Sequence, residues 1–105
     1  MIASQNDDMA MGVRQAFEDL TDLRERDAWL RLPVIGCDGV PKAGQAWVQN
    51  GSLTATVVSP PLVGDGIRLL AKALRTGVQP PDRTLVAPAS FPPLQQLRRA
   101  QGLPS

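Results

Sequence analysis

Two polar residues that close short apolar runs are the side chains best suited to chemistry with a ligand. Asn6 follows the strand remnant Met1–Ser4, and Asp38 ends the run Val34-Ile35-Gly36-Cys37 just before Gly39. An amide both donates and accepts hydrogen bonds, as a hydroxyl does, and a carboxylate accepts from two hydroxyls at once. In open α/β sheets, ligands are bound at the C-terminal ends of strands. The pair therefore points to a neutral, hydroxyl-rich ligand that is held rather than transformed. Each residue also has a plainer role: Asn6 as a helix N-cap, Asp38 as a turn residue ahead of Pro41.

The rest of the composition weakens the case for catalysis. The 105 residues include no histidine and one cysteine, Cys37. The usual general base at neutral pH and the commonest metal ligand are thus missing, and neither Ser-His-Asp nor Cys-His activation can be built from this chain. A structural zinc site and an internal disulfide are excluded on the same counts. The formal net charge is +1 with acids and bases interleaved, which gives no electrostatic footprint for nucleic acid. No apolar run reaches the roughly 18 residues of a membrane span, and no export signal is visible in the first residues. No cofactor is expected.

Other motifs have bland readings that outweigh the functional ones. Asp7-Asp8 suits the positive end of a helix dipole better than a metal or an acid/base pair. Gly64-Asp65-Gly66 lacks the third glycine of a phosphate loop. Trp47 can stack on a sugar face, but its place on the inner face of a helix favours the core. Arg98-Arg99 beside Gln95 and Gln96 reads as a solvated helix face.

The elements that would position Asn6 and Asp38 alternate between strand and helix, the pattern of a parallel sheet with helices on its faces. Met9, Val13, Ala16, Phe17 and Leu20 form an apolar stripe, so a helix is expected over 8–20. The charged stretch 21–31 reads as a short surface helix or an ordered loop, and 32–37 as a buried strand. Pro41 suits the first turn of a helix to about Gln49, with Val40, Ala43 and Trp47 inward and Asn50-Gly51 as the stop. A strand over 52–58 ends at Ser59-Pro60-Pro61. The clearest helix covers 62–75, with Val63, Ile67, Leu70, Ala71 and Leu74 on one side and Gly77 closing it. Thr84–Ala87 reads as a last strand and 91–101 as a terminal helix with Pro92 and Pro93 in its first turn.

Three runs, in this order, resemble a known family: Ser4-Gln5-Asn6-Asp7-Asp8-Met9-Ala10-Met11-Gly12, Val34-Ile35-Gly36-Cys37-Asp38-Gly39, and Gly51-Ser52-Leu53-Thr54-Ala55-Thr56-Val57. They look like the C-terminal part of a periplasmic sugar-binding protein of the ribose and galactose type, a solute-binding component of ABC transporters. The resemblance implies a partial periplasmic-binding-protein type I fold, a Rossmann-like three-layer αβα arrangement. It assigns the sugar hydroxyls to Asn6 and Asp38, and adds Ser59 at the crossover between lobes. Cys37 stands where that family often has an aromatic residue. Effector domains of lactose-repressor-like transcriptional regulators share the fold and are the alternative reading.

By the same resemblance, 1–58 belong to the C-terminal lobe, 59–61 are an interlobe crossover, and 62–105 pack on or return from the other lobe. The expected partners are a sugar or polyol, held weakly or not at all by this part alone, and a transporter permease in the intact family member. The location implied is the periplasm. Burying the 62–75 stripe is worth on the order of 10 kcal/mol, comparable with the about 5–15 kcal/mol stability of a whole domain. Self-association, helix exchange or repacking onto the chain's own sheet is therefore expected.

Overall fold

The structure, a computed structural model, describes residues 1–100, with side chains described through Leu97. It is mixed α/β, with a four-stranded open sheet in the order β1-β2-β3-β4. The elements run β1 Ile2–Ala3, α1 Asp7–Glu18, α2 Leu23–Leu30, β2 Val34–Asp38, α3 Ala46–Gln49, β3 Ala55–Val58, α4 Val63–Thr76, β4 Ala89–Phe91 and α5 Leu94–Ala100. Strands β1, β2 and β3 are parallel, with Ala3 opposite Ile35 and Asp38 opposite Val58.

Local chemistry accounts for several element ends. Asn6 is extended and its side chain accepts from the Met9 N–H, which starts α1. Asp22 does the same for α2 through the N–H groups of Arg24 and Glu25, and the charged stretch is a helix rather than a loop. Gly77 closes α4 in the left-handed conformation, where a residue without Cβ is favoured.

Side chains alternate along β2 and β3, so each strand presents two faces. One face is covered by α1 and by the Pro41–Gln49 segment, which also touch each other. Between these layers lies the small core of Ala10, Val34 and Leu53, with Ile2, Met11, Trp47 and Val48 packed against it. Phe17 stacks on Trp29 at 5.2 Å between ring centroids and pins α2 to α1. The opposite face carries Ile35, Ala55 and Val57, which line a groove of about 430 Å³ shared with Leu94 and Leu97 of α5.

Several expectations from the sequence are corrected. The sheet is not wholly parallel: β4 runs antiparallel to β3, pairing Val58 with Ala89 and Thr56 with Phe91. Thr84–Ala87 forms no strand: the edge of β3 that it would extend is taken by β4. Its Thr84 and Val86 instead line a shallow pocket with Asp65, Arg68 and Leu69 of α4. Phe91 therefore belongs to a strand, and the terminal helix starts at Leu94; position 101 lies outside the described residues.

On α1 the buried face is Asp7 and Ala10, and Met9 is exposed. The face is turned because the Asp7 carboxylate points inward. Val40 is also exposed, and Gly44 takes the inner position. The segment 41–45 is a π-helical turn, with the Gln45 N–H reaching the Val40 carbonyl at 3.2 Å.

Residues 59–88 form a long excursion that leaves β3 and returns to its neighbour β4. The helix α4 within it makes no extensive contact with the sheet, and its stripe stays in water. The radius of gyration is 18.6 Å and the longest extent 64 Å, against about 13 Å expected for a compact domain of this length.

Candidate functional site

The parallel arrangement of β1, β2 and β3 gathers their C-terminal ends at one edge of the sheet. Asp38 is the last residue of β2, Ser59 directly follows β3 and Asn6 stands three residues beyond β1, so the three residues singled out from the sequence stand at adjacent strand exits. The Ser4 N–H donates to the Ile35 carbonyl at 2.9 Å, and the Ser59 N–H donates to the Asp38 carbonyl at 3.1 Å. These two bonds tie the first exit to the second and the second to the third.

Each side chain differs in how far it is committed. Asn6 is half-buried, and its Oδ1 accepts from the Met9 N–H at 2.8 Å. Its capping role is thus realised, while the amide N–H₂ remains a donor. Asp38 is exposed and has φ 100°, a backbone region that non-glycine residues adopt at a cost of about 1–3 kcal/mol. Ser59 is exposed, with its Oγ 3.9 Å from the Cys37 Sγ. An edge with one amide donor, one carboxylate acceptor and one hydroxyl can satisfy vicinal hydroxyl groups, which alternate donor and acceptor roles.

Beneath this edge lies a residue that sequence reasoning missed. Asp7 is 4% exposed, and its carboxylate accepts from the Thr56 hydroxyl at 2.6 Å and from the Gly39 N–H at 2.8 Å. A Cβ added at Gly36 or at Gly44 would overlap that carboxylate. The two glycines therefore form the cradle into which it fits. One side chain thereby joins the start of α1, the turn after Asp38 and the middle of β3. The Gln45 side chain completes the turn by donating to the Gly39 carbonyl at 2.7 Å.

Asp7 has a sufficient local explanation as an acid in a first helical turn. Its true partners are 32 and 49 residues away. The only trace in the sequence is a pair of small residues, Gly36 and Gly44, at positions that must come close to something. Trp47 packs against the core rather than at the edge.

No protein-family model matches the chain, and no curated protein or solved structure matches it either. Among the described residues no helix is long and apolar enough to cross a membrane.

Proposed function

We propose that this chain is the C-terminal part of a periplasmic sugar-binding protein serving an ABC transporter, and that its role is capture without chemistry. Asn6, Asp38 and Ser59 are the ligand-binding residues: the first donates, the second accepts from two hydroxyls, and the third does either. In this reading the fold is one part of a three-layer type I binding protein, 59–61 are the crossover between lobes, and α4 packs on the other lobe. Ligand held between two lobes favours their closed arrangement, and a transporter permease reads that closure.

The observation that carries the reading is the exposed, backbone-strained Asp38 between two other polar strand exits at one sheet edge. Strain of this kind persists where the surrounding structure holds it, and it clusters at ligand clamps. The resemblance of the three sequence runs supplies the ligand class.

Isothermal calorimetry against a panel of pentoses, hexoses and polyols tests it. With one side of the cleft only, the expected dissociation constants are millimolar or weaker, and Asp38→Ala abolishes the response. A micromolar response would contradict the one-sided site. Absence of any response at saturating sugar would contradict the binding assignment.

A further inference from the structure

Residues 78–88, between α4 and β4, form neither helix nor strand, and each of them is exposed. Among the described residues no backbone hydrogen bond reaches 79–87. Pro80, Pro81 and Pro88 hold their own φ near −65° and push the residues before them toward extended backbone. The stretch 82–87 is thus bracketed by stiff, extended steps. Thr84 and Val86 line a shallow pocket with Asp65, Arg68, Leu69 and Lys72 of α4. The alternation of an extended chain then sends Arg83 and Leu85 to the outer side, and Leu85 is 79% exposed.

An endoprotease needs a segment of this kind. It takes its substrate as an extended strand whose backbone groups pair with the enzyme, and exposed backbone without partners is where chains are nicked. An arginine before the scissile bond fits the acidic specificity pocket of a trypsin-like serine protease. The basic residues of α1, α2, α4 and the π-helical turn sit in hydrogen-bonded backbone, and the Arg31 N–H is bonded to the Trp29 carbonyl at the end of α2. Cutting beside any of these requires local unfolding first. At Arg83 no backbone bond has to break, and the next residue is Thr84 rather than a proline.

We propose that the Arg83–Thr84 bond is a site of limited proteolysis by an arginine-specific serine protease. Water adds across this amide: the Arg83 carbonyl becomes a carboxylate, and the Thr84 nitrogen leaves as a new amino terminus. The cut keeps the core and the edge of Asn6, Asp38 and Ser59 on one product, residues 1–83, and severs β4 from α4. The inference does not rest on the sugar-binding reading. The segment lies along the Asp65 and Lys72 side of α4, which at 100° per residue is opposite the Ile67 and Leu70 stripe that faces the other lobe in that reading.

Limited digestion with trypsin, followed by mass spectrometry, tests it. The full chain is used with Arg98→Gln and Arg99→Gln, which take the last two basic residues out of the comparison. The first products are expected to be 1–83 and 84–105, formed about tenfold or more faster than any other cut, because the other bonds are cleaved only from locally opened states. Arg83→Gln, at an exposed position, is expected to slow the loss of intact chain by the same factor. In urea sufficient to unfold the chain the preference for Arg83 is expected to disappear. A first cut at another basic residue, an unchanged rate in Arg83→Gln, or a preference that persists in the unfolded chain would each overturn the inference.

Discussion

Asp7 and Thr56, 49 residues apart, share a 2.6 Å hydrogen bond that is closed from water on both sides. The carboxylate also receives the Gly39 N–H, so both groups facing it are donors. Through it the start of α1, the turn after Asp38 and β3 are joined beneath the edge that carries Asn6, Asp38 and Ser59.

Replacing Asp7 by Asn keeps one acceptor for the Gly39 N–H and turns the N–H₂ toward the Thr56 oxygen, which can accept it but leaves its own O–H proton without a partner. Leaving one buried donor unmatched costs about 1–3 kcal/mol, so Asp7→Asn is expected to lower stability by that amount. Asp7→Ala, which strands both donors, is expected to cost more. Urea unfolding of the two variants measures the order, and equal stability of Asp7→Asn and the parent would contradict the role.

The cradle makes a sharper contrast among glycines. Gly36→Ala and Gly44→Ala push a methyl group into the Asp7 carboxylate and are expected to cost about 1–3 kcal/mol each. Gly12, inside α1, has open space where a Cβ would go. Gly12→Ala is expected to stabilise by about 0.5–1 kcal/mol. Thermal unfolding of the three variants gives the signs directly.

Asn6 has two roles that substitution can separate. Asn6→Ala removes the cap and is expected to cost about 1 kcal/mol. Asn6→Asp keeps an oxygen for the Met9 N–H but removes the amide donor. It is expected to retain stability and to lose the calorimetric response to sugars; a full response in Asn6→Asp would show that the amide donates to nothing.

Asp38 predicts a trade between stability and binding. Glycine tolerates a positive φ that aspartate does not, so Asp38→Gly is expected to raise stability by about 1 kcal/mol while removing the carboxylate from the edge. A destabilised Asp38→Gly variant would mean that the side chain contributes to folding rather than to a ligand.

Much of the fold is legible in local signals, and what is not has a common cause. Asn6 as a cap, Gly77 as a stop and the stripe of α4 follow from rules that operate within a few residues. The strand exits at Asn6, Asp38 and Ser59 come to one edge because strand and helix alternate as the pattern suggested. The antiparallel β4 was hidden because Thr84–Ala87 has the better strand composition, yet the partner edge is taken by Ala89–Phe91. The inward turn of α1 and the π-helical turn at 41–45 were hidden because both serve the Asp7 carboxylate, and its partners are far away in the chain.

Amide mapping by ¹H–¹⁵N correlation spectra during titration with a pentose tests the central claim most directly. The account predicts shifts that rise with millimolar sugar at the backbone amides of Asn6, Asp38, Gly39 and Ser59, and their loss in Asp38→Ala. Shifts confined to the apolar groove beside Ile35 and Val57, or spectra unchanged at 100 mM ligand (about a hundredfold above a millimolar constant), would contradict it.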